Sequence, residues 1–293
     1  SVEVSFGNYA TIATVTSNGI GQFNTSFVVN SQCYGTCTIT GIGTSTCERG
    51  TFTFFITPRL DVISPNNGFV GNQITMVGCG YESTSNIRIK LGSTPTITEW
   101  SANNNGTFTT VFTIDSQSYG SKTVTAYQNP DNTKNAANQI FIKSRIISVT
   151  PDSATVGVII TISGNGYGVS ENVYLDFGNM AAVANYKTSE YGTFTGNFVV
   201  NTQVYGTCTV RIYPLPASDL RHEYTTYMNI RGAIYRVEPT SGGVGRVVTI
   251  WGNGFGNGEQ VSVKFGTHAD IATTTAAGDG KFSSSFTVDT QGF

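Results

Sequence analysis

The sequence predicts an all-β chain of tandem immunoglobulin-like antiparallel β-sandwiches arranged end to end, and three observations carry that prediction. One stretch is written four times: Gly21-Gln22-Phe23 to Val29, Gly106-Thr107-Phe108 to Ile114, Gly192-Thr193-Phe194 to Val200 and Gly280-Lys281-Phe282 to Val288. Its glycines are 85, 86 and 88 residues apart, the self-similarity of an array of like modules. Apolar and polar residues alternate in short runs with no helical period. Turn residues punctuate those runs about every ten positions, the spacing of sandwich strands.

Each module opens its conserved part with a short strand ending in Phe-Gly or Leu-Gly. Val2, Val4 and Phe6 share a face, as do Ile87, Ile89 and Leu91, Val173, Leu175 and Phe177, and Val261, Val263 and Phe265. Glu3, Arg88, Lys90, Asp176 and Lys264 take the positions between them, so these are half-buried strands with one wet face. The repeated stretch follows. Phe23, Phe108, Phe194 and Phe282 lead, and Phe27, Phe112, Phe198 and Phe286 come four residues later. Small residues (Thr25, Thr110, Gly196 and Ser284) lie midway, so in a strand both rings stack on one face and form the core signature.

A third recurrence is Ile63-Ser64-Pro65, Val149-Thr150-Pro151 and Val237-Glu238-Pro239, where proline closes an edge strand. The next strand runs into Gly78-Cys79-Gly80-Tyr81, Gly164-Asn165-Gly166-Tyr167 or Gly252-Asn253-Gly254-Phe255, whose paired glycines suit a sharp positive-φ turn. No helix pattern follows these glycines, so the reading is a structural turn and not a nucleotide site. Tyr34-Gly35, Tyr119-Gly120 and Tyr205-Gly206 open the penultimate strand. A last strand lies near Thr51–Thr57, Gln139–Lys143 and Thr225–Ile230.

Seven strands per complete module divide the chain into four parts. Residues 1–58 form a partial module lacking its first two strands, 59–144 and 145–231 are complete, and 232–293 lack the last two strands. The joints (Thr57-Pro58-Arg59, Lys143-Ser144-Arg145 and Arg231-Gly232) are almost without linker, which predicts stiff connections. Ser1 stands where Met would open a new chain and no signal peptide is present, which reads as a mature or excised product. The cut ends read either as a window on a longer array or as edges completed by a neighbour through strand addition.

The order Ile-x-Pro, Gly, Ile-Thr-Ile, Gly-x-Gly-Phe/Tyr, Val-x-Phe-Gly resembles the IPT/TIG immunoglobulin-like repeats of prokaryotic cell-surface and extracellular filament proteins. Asp279-Gly280-Lys281-Phe282 and the Tyr-Gly-x-x-Thr-Val run are similar to the same arrays. The resemblance covers the whole chain. It implies an extracellular or cell-surface location in a prokaryote and a role as spacer, adhesin or filament unit. The immunoglobulin Cys–Trp–Cys pattern is missing, so a pinning disulfide of that kind is not implied.

Composition narrows function further. Charged residues are only 12% of the chain and the formal net charge is −2, which leaves no basic footprint for nucleic acid. No apolar run approaches the about 20 residues that span a bilayer. The only histidines, His222 and His268, fall in different modules without a recurring nucleophile or carboxylate, so no catalytic, cofactor or metal site is read. The scattered Asp115, Asp131, Asp152 and Asp279 suit Asx turns better than calcium. Asn24-Thr25-Ser26 and Asn105-Gly106-Thr107 are N-glycosylation sequons.

Five cysteines leave at least one unpaired within the chain. Cys37 and Cys208 take the place of Lys122, which suggests a rim position. Cys33 and Cys79 are the candidate disulfide, across the first joint. Trp251, outward by alternation, is a candidate for local packing or an interface with a neighbour.

The expectation is a non-enzymatic structural segment of an extracellular filament or surface fibre, assembling through module ends or strand complementation. Its partners would be copies of itself or further repeats of a longer chain, with no nucleic acid and no membrane-spanning segment. The alternatives are an adhesin or carbohydrate-binding stalk, contacting glycans or cell-surface components through loops near Asn129–Asn135 and Leu215–Arg221, and a spacer of a secreted enzyme.

Overall fold

The computed structural model describes residues 1–215 and 222–290. The chain is all-β, built from tandem immunoglobulin-like antiparallel β-sandwiches in two compact units, Ser1–Ile142 and Lys143–Phe293. Among the described residues no helix is long and apolar enough to cross a membrane.

In the first unit, β1 (Val2–Phe6), β2 (Tyr9–Val15), β3 (Gly35–Gly43) and β4 (Arg49–Ile56) make one four-stranded sheet in the order β2-β1-β3-β4. The second module follows with β5 (Arg59–Ser64), β6 (Asn67–Phe69), β7 (Gln73–Cys79), β8 (Asn86–Leu91), β9 (Thr94–Ser101), β10 (Phe108–Thr113), β11 (Gly120–Asn129) and β12 (Asn135–Lys143). Its sheets are β10-β7-β5 and β6-β12-β11-β8-β9.

The second unit repeats this plan with β13 (Arg145–Thr150), β14 (Ser153–Ala154), β15 (Ile159–Asn165), β16 (Asn172–Phe177), β17 (Met180–Lys187), β18 (Phe194–Val199), β19 (Gly206–Pro214) and β20 (Tyr224–Ile230). These form sheets β13-β15-β18 and β14-β20-β19-β16-β17. The last module contributes β21 (Ala233–Glu238), β22 (Val247–Asn253), β23 (Gln260–Phe265), β24 (His268–Thr275) and β25 (Phe282–Thr287), in sheets β21-β22-β25 and β23-β24.

Modules 2 and 3 thus carry eight strands where seven were expected. The addition is the short β6 or β14, formed just after the chain passes Pro65 or Pro151 and leaves the edge of the smaller sheet. It reaches the larger sheet, where β14 pairs in parallel with β20 (Ser153 to Asn229, Ala154 to Ile230). That short strand covers an edge that would otherwise be open.

The core follows from alternation. Ile74 and Met76 of β7, Ile87, Ile89 and Leu91 of β8, Phe108 and Phe112 of β10, and Val124 and Ala126 of β11 are buried together between the two sheets. Ile160 and Ile162, Val173, Leu175 and Phe177, Phe194 and Phe198, and Val210 and Ile212 do the same in the third module. In the fourth, Phe282 and Phe286 pack on Val248, Ile250, Val261 and Val263.

The first module departs from the expectation. Gly21–Val29 forms no paired strand. Phe23 is 46% exposed where Phe108 is 3% exposed, although Phe27 still rests against Phe6 with ring centroids 5.5 Å apart. The cause is a missing partner. β10 is held by β7 in register from Phe108 opposite Gly78 to Thr113 opposite Gln73, and residues 1–58 contain no equivalent of β7. Without that ladder the stretch forms no strand, its first residues bond only the turn at Asn18, and Asn24 lies in it exposed and unpaired with any strand.

Candidate functional site: the module joints and open faces

Gly-x-Gly-aromatic seats the leading Phe in modules 2, 3 and 4, and it lies at the joint inside each unit. The two glycines serve different ends. A Cβ on Gly78, Gly164 or Gly252 would stand 2.4, 2.4 or 2.1 Å from a ring carbon of Phe108, Phe194 or Phe282. The first glycine is therefore a seat for the leading Phe, not a turn. Only the second has positive φ (+78° at Gly80, +72° at Gly166 and +73° at Gly254). A Cβ there would meet the carbonyl oxygen of Thr57, Lys143 or Arg231 at 2.4, 2.3 or 2.4 Å, so the turn lies against the chain just before β5, β13 or β21. The following aromatic closes the seat edge-on. Tyr81 on Phe108, Tyr167 on Phe194 and Phe255 on Phe282 have centroids 5.4, 5.3 and 4.9 Å apart.

The joint between modules 1 and 2 is backbone against backbone. The Tyr34 amide donates to the Tyr81 carbonyl (2.9 Å), and a Cβ on Gly106 (φ +73°) would lie 2.2 Å from that oxygen and 2.9 Å from Cys33 Cα. The second unit repeats it. The Tyr205 amide donates to the Phe255 carbonyl (3.1 Å), and a Cβ on Gly280 (φ +77°) would lie 2.6 Å from the Phe255 oxygen and 3.1 Å from Val204 Cα. At the first joint the Lys134 ammonium also sits 5.0 Å over the Tyr34 ring, held by Glu82 (2.5 Å) and Asp131 (3.0 Å). The Thr133 hydroxyl and the Lys134 ammonium hold the Asp131 carboxyl down at about 2.

The candidate Cys33–Cys79 disulfide is corrected. Both residues lie at this joint, but all five cysteines are free thiols. Cys33 Sγ points to the Asn104 carbonyl at 3.3 Å, while burial and then Asp61 raise the Cys79 thiol. Cys79 lines a cavity of about 310 Å³ with Gln32, Phe54, Arg59 and Gly80. Cys208 is buried in the core and not on a rim, and burial pushes its thiol up to about 11.

The other sequence candidates stand apart from one another. Trp251 is half-buried beneath the Arg236 guanidinium, 4.5 Å from its ring, so its packing is at least partly local. Asn105 is exposed in the turn before β10, its Oδ1 accepting from the Thr107 hydroxyl at 2.9 Å. His222 faces Glu171 at 3.3 Å, and His268 faces Asp289 at 2.8 Å on β24. Among the described residues no three His, Cys, Asp or Glu gather as metal ligands. Of the proposed ligand loop 215–221, residues 216–221 lie outside the described residues.

Two apolar faces are open. β4 is a sheet edge carrying Phe52, Phe54 and Phe55, with Phe52 74% exposed, beside a hollow of about 660 Å³ that reaches Val2, Phe23 and Ile39. In module 4 a hollow of about 360 Å³ lies among Val237, Ile250, Val263, Phe265 and Phe286. In module 2 the matching edge of β8 is paired with β11, and Val124, Ala126, Ile140 and Ile142 of β11 and β12 complete the core.

One recurrent residue escaped the sequence reading. Gln32, Gln117 and Gln203 each follow the second core Phe by five positions. Each side chain lies over the glycine of the Phe-Gly or Leu-Gly turn, within 2.6, 2.4 and 2.4 Å of where a Cβ would stand on Gly7, Gly92 and Gly178. Gln117 and Gln203 donate to the Leu91 and Phe177 carbonyls (3.3 Å each). The fixed spacing was the available signal.

No protein-family model matches the chain, and no curated protein does. Among solved structures it is similar to a tetra-tandem repeat in the extending region of a large adhesion protein, at 16% identity and a TM-score of 0.27 over 98% of this chain and 83% of that one. It is also similar to a Bacteroides ovatus mixed-linkage glucan utilization locus protein, SGBP-B, in complex with a mixed-linkage heptasaccharide (11% identity, TM-score 0.28, 99% and 82% covered). A third is an ICAM-5 D1–D4 ectodomain fragment (12% identity, TM-score 0.24, 88% and 84% covered). The immunoglobulin-like architecture follows from the strand order of the sheets.

Proposed function

We propose that this chain is a non-enzymatic structural segment of an extracellular filament, fibre or stalk on a prokaryotic cell surface. The joint carries the reading. Modules 1 and 2 in the first unit, and modules 3 and 4 in the second, meet through the same amide–carbonyl bond at a glycine whose place admits no side chain. A connection made of backbone transmits load without depending on long side chains. The residue order resembling IPT/TIG repeats and the polar, weakly charged surface fit an array outside the cell.

Assembly runs through the open faces. A strand bearing the β7 pattern, from a further repeat or a neighbouring copy, would pair with the Gly21–Val29 stretch and cover Phe23. A hairpin like β11–β12 would fill the module 4 hollow. N-linked glycans at exposed Asn24 and Asn105 are part of the same reading. The test is electron microscopy of native material labelled with an antibody to this chain. Labelled fibres outside the cell envelope are expected, and label confined to the cell interior overturns the proposal.

A second reading is a carbohydrate-binding stalk. It is favoured by the shallow groove of Lys90, Pro95, Thr125, Tyr127, Asn132 and Asn135 on module 2, which sets a tyrosine among amide groups. Saturable glycan binding lost in Tyr127→Ala would support it.

A further inference from the structure

The glutamine cap is ordinary in modules 1 and 3, where the side chains that its nitrogen meets are asparagines. Gln32 Nε2 donates to Asn30 Oδ1 (2.9 Å), and Gln203 Nε2 donates to Asn201 Oδ1 (2.7 Å) and Asn179 Oδ1 (3.0 Å). Module 2 differs at two positions. Asp115 replaces the asparagine two residues before the glutamine, and the Thr94 hydroxyl comes in from the start of β9. Gln117 is buried, and its Nε2 lies 3.2 Å from Thr94 Oγ1 and 2.9 Å from Asp115 Oδ1. The Thr94 hydroxyl donates to the other carboxylate oxygen, Oδ2.

One carboxylate therefore touches both the hydroxyl and the carboxamide nitrogen. Those are the two atoms between which a proton must pass in acyl transfer. We propose that Thr94 and Gln117 form an internal ester, with Asp115 as the proton carrier.

The carboxamide turns about its Cγ–Cδ bond so that the face of its carbonyl carbon, and not the nitrogen, meets Thr94 Oγ1. As the Oγ1–Cδ bond forms, Asp115 Oδ2 takes the hydroxyl proton. As the Cδ–Nε2 bond breaks, Asp115 passes that proton to the nitrogen, which leaves as ammonia. No oxidant, reductant or co-reactant enters, and ammonia protonates and diffuses away. The product ties β9, at the edge of the larger sheet, to the segment that follows β10 of the smaller sheet. Modules 1 and 3 lack both the carboxylate and the hydroxyl beside their glutamines, and module 4, whose sequence repeats the carboxylate and glutamine as Asp289 and Gln291, has His268 at the place of Thr94, so one ester per chain is expected.

Intact-mass spectrometry of the full chain, purified at neutral pH, tests this directly. The expected result is a mass lower than the sequence mass by about 17 Da, one ammonia, with tandem spectra joining the Thr94 and Gln117 peptides. The deficit persists in Thr94→Ser and disappears in Thr94→Val and in Asp115→Asn. A wild-type chain at its full sequence mass overturns the proposal, with no variant needed. So does a deficit that maps to an Asn-Gly succinimide, which loses the same mass, or one that survives in Thr94→Val.

Discussion

Replacing Gly280 by Ala separates joint geometry from backbone strain, because Gly258 of the same module is a matched control. Gly258 and Gly280 have φ of +70° and +77°. An alanine at either costs about 1–2 kcal/mol for the left-handed conformation. Nothing lies within 4 Å of a Cβ on Gly258, whereas one on Gly280 would stand 2.6 Å from the Phe255 oxygen, 3.1 Å from Val204 Cα and 3.2 Å from the Gln203 oxygen. All three are backbone, so the strand entry at Val204 must move away, stretching the Tyr205-to-Phe255 bond. Losing that bond costs about 0.5–1.5 kcal/mol, and 1.4 kcal/mol is about a tenfold change in opening. Amide hydrogen exchange of Tyr205 reads it. Exchange should speed several-fold to about tenfold in Gly280→Ala and stay at the wild-type rate in Gly258→Ala. Equal Tyr205 rates in the two variants would refute the claim that the glycine serves the joint.

Other substitutions test the core and its electrostatics. Tyr81 Oη donates to the Ala126 carbonyl at 3.1 Å, whereas the buried Tyr167 hydroxyl has no partner. Tyr81→Phe should therefore destabilise module 2 by about 1 kcal/mol, while Tyr167→Phe leaves module 3 unchanged or more stable, by native-state exchange. Phe198→Ala should cost module 3 about 3–5 kcal/mol in the same measurement. Gly196→Thr should expel Tyr186, whose ring carbon lies 2.1 Å from a Cβ there, and quench the stacking shift between Tyr186 and Phe194 in NMR spectra. The folded Asp131 carboxyl is depressed to about 2, so its contribution is complete above the ordinary carboxylate range and is lost as pH falls through about 4 to 2. Carboxyl NMR should place its midpoint near 2, with the Lys134 contact to Tyr34 loosening over the same window.

Much of the fold was legible because it is local. Alternation in Ile87-Arg88-Ile89-Lys90-Leu91 fixes which side is buried, and repetition of the Phe stretch fixes how often. What escaped depends on residues distant in sequence. Gly78 looked like half of a turn because its true neighbour, the Phe108 ring, arrives thirty residues later from β10. Trp100 and Tyr186 occupy matching places, yet Tyr186 lies flat over Gly196 while Trp100 is 52% exposed in the module that has Thr110 in place of that glycine. The small residue at the midpoint of the Phe pair therefore decides how the edge strand packs. Cys33 and Cys79 were placed at the right joint, but spacing says nothing about where two thiols point. The Gln117 cap was written in the repeat, but its importance depends on Thr94, which only the β8–β9 turn brings alongside.

The most direct measurement of the account is the set of residual dipolar couplings of the full chain, module by module. If the backbone joints fix neighbouring modules, one alignment tensor will fit modules 1 and 2 together, and one will fit modules 3 and 4 together. Tensors of clearly different magnitude for modules 3 and 4 would show a free hinge where Gly280 and Tyr205 are held to join them, and would contradict the account.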